Sequence, residues 1–153
     1  MLTIDIPGRG RYELEHVVFD VNGTLALDGV LLEGVAERIM ALRAHFQVHM
    51  LTADTHGRQA AIDAALGFEA ERIGTAAGKV RYVLDLGPER VVAVGNGAND
   101  APMLRAAALG IAVIGPEGVA VDALEAADVV APQILAALDL LLNPRRIVAT
   151  LRR

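Results

Sequence analysis

Four short stretches of this 153-residue chain hold residues whose types and spacing could do chemistry. Asp20-Val21-Asn22-Gly23-Thr24 follows the apolar run Val17-Val18-Phe19. A carboxylate at the end of a buried strand is suited to attack phosphorus, and Gly23 would let backbone N–H groups approach an anion. Thr52 ends a second strand-like segment, Val48 to Leu51, and offers a hydroxyl donor. Lys79 would supply a compact positive charge to the equatorial oxygens of a phosphoryl group. Gly95-Asn96-Gly97-Ala98-Asn99-Asp100 is a tight polar turn able to present oxygen ligands to a hard cation such as Mg²⁺, which keeps waters and substrate phosphate in its shell. A nucleophilic carboxylate, a hydroxyl, an ammonium and a cation are the parts of phosphoryl transfer, a reaction that depends mostly on positioning and electrostatic stabilisation.

Composition sharpens two of these choices. Lys79 is the single lysine among 14 basic side chains, so its retention in an Arg-dominated chain favours a specific use over a solvated helix position. Three of the four asparagines, Asn22, Asn96 and Asn99, fall in the two polar loops, although turn propensity alone would also favour asparagine there. The net charge of -5 gives nucleic acid or an anionic membrane surface no electrostatic support. Cysteine is absent, which removes disulfides, thiol catalysis and thiolate metal sites. With no basic-then-apolar leader and no uncharged apolar stretch of about 18 residues, the expectation is a cytoplasmic protein without a membrane span.

The elements that must position these residues follow from periodicity. Leu2, Ile4 and Ile6 alternate with other residues, Pro7 to Gly10 turn, and Tyr12 and Leu14 alternate again, which predicts an N-terminal β-hairpin. The continuous apolar run at 17–19 predicts a strand buried on both faces, 48–51 a second buried strand, and 91–94, 111–114 and 129–130 further strands. Helical spacing of Val35, Ile39 and Leu42 predicts one helix, and further helices are expected over 56–66, closed by Gly67, over 77–86, after Asp100 and over 132–142. Asn143-Pro144 reads as the cap and first residue of a terminal helix. Leu27-Asp28-Gly29-Val30 predicts a two-residue hairpin turn, making residues 24–32 a short flap. Its Leu31 and Leu32 would suit either local packing or contact with a second copy of the chain. Alternation of strands and helices implies one α/β domain over residues 1–153, a three-layer α/β/α sandwich around a parallel sheet. Ligands in such sheets sit beyond the carboxyl ends of the strands, where Asp20, Thr52 and Asn96 to Asp100 fall.

These pieces, in this order and on these elements, resemble the four motifs of the haloacid dehalogenase superfamily, and most of all the phosphorylation domain of P-type ATPases. Leu51-Thr52-Ala53-Asp54 with Ala60, Ile62 and Leu66-Gly67 resembles the second motif and its helix. Asn99-Asp100-Ala101-Pro102-Met103-Leu104 resembles the hinge segment, and Ala123 to Val130 the stretch beyond it. The resemblance implies a cap-less Mg²⁺-dependent phosphatase or phosphotransferase. Asp20 would be its nucleophile, Thr52 and Lys79 would bind phosphate with Gly23, Ala53 and Asn99, and Asp20, the Asn22 carbonyl, Asn96 and Asp100 would form the metal site.

Three departures stand against that pattern. Asn22 occupies the position where the superfamily's phosphatases carry an acid/base Asp, and an amide cannot carry that proton. Asn96 stands where the fourth motif usually has Asp, which removes a charge from the metal site. Only 31 residues separate Asp20 from Thr52, so the nucleotide-binding domain of a P-type ATPase has no room. The rival expectation is therefore a catalytically impaired phosphate-site domain kept for binding or regulation; a dehalogenase fits Lys79 and the Asn99-Asp100 loop less well. The substrate would be a phosphorylated small molecule or macromolecule. His45 and His49 have helical metal spacing but fall across a helix end and a strand, and so do not predict a zinc site.

Overall fold

The computed structural model describes all residues, 1–153. Its centre is a five-stranded parallel sheet built from β3 (His16–Asp20), β6 (Gln47–Leu51), β7 (Val91–Gly95), β8 (Leu109–Val113) and β9 (Val129–Ala131), in the spatial order β6-β3-β7-β8-β9. The N-terminal hairpin β1 (Leu2–Ile6) and β2 (Gly10–Leu14) and the flap β4 (Ala26–Leu27) and β5 (Val30–Leu31) form where the turn residues place them.

Helices cover both faces. α1 (Val35–Leu42), α2 (Gln59–Leu66), α6 (Ile134–Leu142) and α7 (Arg145–Leu151) lie with the larger core; α3 (Ala76–Leu86), α4 (Ala101–Ala106) and α5 (Val121–Ala126) lie with the smaller one. The strands divide their side chains between the two. Val17, Phe19, Val92, Val94, Ile111 and Val113 fill the first core, while Val18, Ala93 and Ala112 face the second. Small residues on that second face let α4 approach the sheet, so closely that a Cβ at Gly110 would strike the Leu104 carbonyl. The three-layer architecture expected from the alternation of elements is present, with no cap over the sheet's carboxyl end.

Four details differ from the sequence reading. β6 is an edge strand, so Gln47 is exposed and Val48 and His49 only half-buried, although Met50 and Leu51 are fully buried. α2 starts at Gln59 rather than at residue 56, because Asp54 takes a left-handed conformation (φ 52°) and its carboxylate accepts the Gln59 N–H at 3.1 Å. Asn143 does not cap α7: its side-chain amide donates to the Asp139 carbonyl at 2.9 Å, and α7 begins one residue after Pro144. Ile114 lies outside β8 and is exposed. Leu31 and Leu32 pack half-buried against the larger core, leaving Leu27 and Val30 as the exposed apolar residues of the flap.

The site follows from strand order. The chain enters the sheet at β3, moves to β6 on one side, and crosses back to β7 on the other. Reversal at β3 opens a crevice beyond the strand ends. Asp20 is the last residue of β3, and Asn96 follows β7 directly.

Candidate active site

The crevice is a polar cavity of about 250 Å³, lined by Asp20, Asn22, Thr52, Ala53, Lys79, Asn96 and Asn99 together with Thr55, His56, Gly74, Gly97 and Glu117. Its floor is a buried charge cluster. Lys79 is 1% exposed, and its Nζ donates to Asp20 Oδ1 at 2.8 Å and to Asp100 Oδ1 at 2.7 Å. An ammonium has three N–H donors, so one remains for a ligand. The lysine reaches this point from the first turn of α3, whose start is fixed by Thr75 Oγ1 accepting the Gly78 N–H at 3.0 Å.

Asp100 is fully buried and its second oxygen is also committed. Oδ2 accepts the N–H groups of Asn96 at 3.0 Å and Gly97 at 2.9 Å, which shapes the loop after β7. Its carboxylate lies against the Cα of Gly95, where any side chain would collide. Asp20 Oδ2 accepts from Thr24 Oγ1 at 3.0 Å, and the same hydroxyl lies 3.1 Å from Asn96 Oδ1. One hydroxyl proton can serve only one of these two oxygens. Asp20 Oδ2 and Asn96 Oδ1 therefore converge on a point where one acceptor is always left over.

Two carboxylates and one ammonium give the buried floor a net charge of -1. Burial pushes the Asp20 carboxyl from its ordinary 3.8 up to about 6; the Asp100 charge adds to the push, and Lys79 and Thr24 hold it back. For Lys79, burial acts to lower the pKa, but the charges of Asp20 and Asp100 more than offset it and the net direction is up. Lys79 therefore stays charged at neutral pH.

The structure brings Asp20, Lys79, Asn96 and Asp100 into one hydrogen-bonded unit and sets Thr52, Ala53, Asn22 and Asn99 around its mouth. Thr52 is buried; its Oγ1 accepts the Asp54 N–H at 2.9 Å, leaving its own proton free to donate into the cavity. Asn99 donates one amide N–H to the Gly74 carbonyl at 2.9 Å and has a second to spare. Gly23 is the exception. Its N–H is spent on the Ala26 carbonyl at 2.7 Å, and that of Thr24 on Val21 at 3.1 Å, so the Gly23 turn does not offer these donors to an anion. Gly23 is required for a different reason: its φ is +84°, and a Cβ there would strike the Glu117 carboxylate and the Asn96 amide.

Thr24 and Glu117 are among the residues that sequence reasoning passed over, as are the lining residues Thr55 and His56. Thr24 stood inside the first motif, and its burial beside two polar partners is a tertiary fact. Glu117 comes from a turn nearly a hundred residues away and carries no local signal. The two histidines at helical spacing separate as expected: His45 is exposed, while His49 pairs with His16 (3.1 Å) and Tyr82 (2.9 Å) away from the cavity.

The donor set suits a hard divalent cation. It is all oxygen, its floor is negative, and Asn22 Oδ1 is buried without a hydrogen-bond partner. It is sparse in charge, because Asn96 is neutral and no three acidic or histidine side chains close into a cage.

Comparison with known proteins bears on the family and the fold. The family model described as haloacid dehalogenase-like hydrolase matches residues 26–108. An uncharacterized protein of Methanocaldococcus jannaschii is 47% identical over 64 residues, which are 42% of this chain and 69% of that protein. The zinc/cadmium/lead-transporting P-type ATPase of Escherichia coli is 37% identical over 110 residues, covering 71% of this chain but only 15% of the transporter. No helix here is long and apolar enough to cross a membrane. Among solved structures, the 3-deoxy-D-manno-octulosonate 8-phosphate phosphatase of Moraxella catarrhalis, crystallised with magnesium and phosphate ions and the sugar, superposes with a TM-score of 0.66 at 18% identity, covering 90% of this chain and 92% of that one. That likeness concerns the fold. With Asp20 ending β3, a buried lysine joining it to Asp100, and a family model matching more than half its length, the chain belongs to the haloacid dehalogenase-like hydrolases.

Proposed function

We propose that this protein is a Mg²⁺-dependent phosphatase or phosphotransferase that works through an aspartyl-phosphate on Asp20, slowly where the leaving group needs a proton. The observation that carries the reading is Lys79, buried between Asp20 and Asp100 with one donor to spare at the floor of an open polar cavity. A surface salt bridge would not require a fully buried lysine, whereas a phosphoryl group needs a fixed positive charge beside its nucleophile.

Asp20 attacks phosphorus through a carboxylate oxygen; the new O–P bond forms as the bond to the leaving oxygen breaks, and that oxygen departs with the electron pair. Lys79, the Thr52 hydroxyl and the free Asn99 N–H are placed to neutralise or donate to the equatorial oxygens. In the second step water attacks phosphorus and the Asp20 carboxylate leaves. A bound Mg²⁺ would supply the charge that lets an anionic nucleophile approach a phosphate dianion over a floor that is itself negative. The residues that would hold it are Asp20, Asn96, Asp100 and the Asn22 carbonyl, the donors whose chemistry fits.

Asn22 shapes the kinetics. It neither protonates a leaving alkoxide nor activates water, help worth about 10²- to 10⁴-fold. Donors with good leaving groups, acetyl phosphate above all, should therefore phosphorylate Asp20 more readily than the intermediate hydrolyses. The same residue favours a second reading, a phosphate-binding domain that no longer turns over.

The two readings separate on incubation with ³²P-acetyl phosphate and Mg²⁺. Acid-stable, hydroxylamine-labile label that disappears in Asp20→Asn supports the enzyme. A melting-temperature rise with beryllofluoride and Mg²⁺, lost in Asp20→Asn but with no label or turnover from acetyl phosphate, supports the binding domain. No label, no turnover and no ligand-dependent rise in wild type sinks both.

A further inference from the structure

Glu117 sits on a four-residue turn, Gly115 to Gly118, that follows the exit of β8. The turn is closed by Gly118 N–H donating to the Gly115 carbonyl at 2.9 Å and is fastened to the cavity at three places. Asn96 Nδ2 donates to the Gly118 carbonyl at 3.3 Å, Ala120 N–H donates to the Asn96 carbonyl at 2.8 Å, and Gly115 packs against the Gly23 carbonyl. Glu117 is exposed, yet the turn that carries it is bonded to Asn96 and packs on Gly23, residues of the loops that follow β7 and β3. The Glu117 carboxylate lies against the Cα of Gly23, on the side where the Asn96 amide also lies, and it lines the same cavity as Asp20 and Lys79.

Charge makes this placement consequential. Asn96 brings an amide oxygen but no charge, so the buried floor of Asp20, Asp100 and Lys79 carries -1. Adding Glu117 makes the cavity -2, matching one divalent cation. The unpartnered, buried Asn22 Oδ1 marks the same cavity as short of a polar partner. The three acids do not close into a ready-made cage, so Glu117 would act on a cation by its field and through water that Mg²⁺ retains readily.

We propose that Glu117 is a cation-positioning residue which, from across the Gly23 turn, supplies the negative charge that Asn96 lacks. This inference rests on the metal-dependent reading above and concerns how this chain holds the ion. An exposed turn glutamate without that role would leave cation affinity untouched.

The test measures Mn²⁺ binding by electron paramagnetic resonance, which needs no turnover, on wild type, Glu117→Gln, Asn96→Asp, the double variant, and Glu13→Gln as a control that removes an exposed charge on the distant hairpin. Glu117→Gln is expected to weaken Mn²⁺ binding about three- to tenfold at low salt, with the gap shrinking as salt screens the exposed carboxylate. Asn96→Asp should restore affinity in the double variant, because it returns the charge at the ligand itself. Glu117→Gln binding like wild type, or weakening no more than Glu13→Gln, overturns the proposal. Unchanged affinity with lost dephosphorylation also overturns it, by making Glu117 a proton-transfer group. Absence of Mn²⁺ binding in wild type and in Asn96→Asp overturns the metal-dependent reading itself, so the two failures are distinguishable.

Discussion

Replacing Asp20, the proposed nucleophile, should make this protein more stable at neutral pH. Asp20 is 8% exposed, and burial with the nearby Asp100 charge holds its carboxyl at about 6 against an ordinary 3.8. A carboxyl whose pKa is raised by folding binds its proton more tightly in the folded state. Its stabilising contribution is complete below the unfolded value and is lost as pH rises through the folded one. At pH 7 Asp20 is ionised, and a shift of roughly two pKa units corresponds to about 3 kcal/mol of cost relative to the neutral form. Asn is that neutral form in nearly the same shape: its one oxygen can still accept from Lys79, its Nδ2 can donate to Thr24 Oγ1, whose own proton then goes to Asn96 Oδ1, and Lys79 keeps Asp100. Asp20→Asn should therefore gain about 1–3 kcal/mol at pH 7, roughly 2–10 °C in Tm for a chain of this size. The gain should fade as pH drops from about 6 to 4, where wild-type Asp20 takes up its own proton. Urea unfolding of both proteins at pH 7, 6, 5 and 4, without divalent cations, gives the difference directly and cancels the titrating groups that do not interact with Asp20. A destabilised Asp20→Asn at pH 7, or a gain that does not change with pH, would refute the account of Asp20 as a charge buried at the expense of the fold.

Lys79→Met should behave oppositely, because it leaves two buried carboxylates without their cation; a loss of about 3–5 kcal/mol at pH 7, smaller at pH 5, is expected in denaturant melts. Thr24→Val removes the one hydroxyl shared by Asp20 and Asn96 and should cost about 1–3 kcal/mol, seen as a lower Tm, with slower labelling of Asp20 by acetyl phosphate. Asn22→Asp should shorten the lifetime of the labelled intermediate by up to about 10²- to 10⁴-fold, measured by chase after labelling; an unchanged lifetime would mean the proton is handled elsewhere. Asn96→Asp should lower the Mg²⁺ concentration giving half-maximal labelling without matching that change in lifetime. Both asparagines precede glycine and are prone to deamidation, so intact mass must accompany these measurements.

The sequence by itself determined the sheet and the order of its motifs. Val17-Val18-Phe19 and Val91 to Val94 are apolar without interruption, which only strands covered on both faces tolerate, and the polar residue that ends each run had to emerge at the sheet's carboxyl edge. Asp20, Thr52, Lys79 and Asp100 were legible for that reason, since local pattern fixed which strand or helix end carried each. Tertiary structure decided what those residues do to one another. That Lys79 is fully buried, that it joins Asp20 to Asp100, and that Thr24 serves Asp20 and Asn96 together depend on strands β3 and β7 lying side by side, a pairing of segments some seventy residues apart. The same contacts withdrew the Gly23 N–H from the anion site by turning it onto Ala26. They also brought in Glu117, whose turn has no chemical signature in sequence and gains its place only because Gly115 and Gly118 dock on Gly23 and Asn96. Periodicity reports which face of an element is buried; it cannot report which charges meet there, because that depends on distances set between elements by packing.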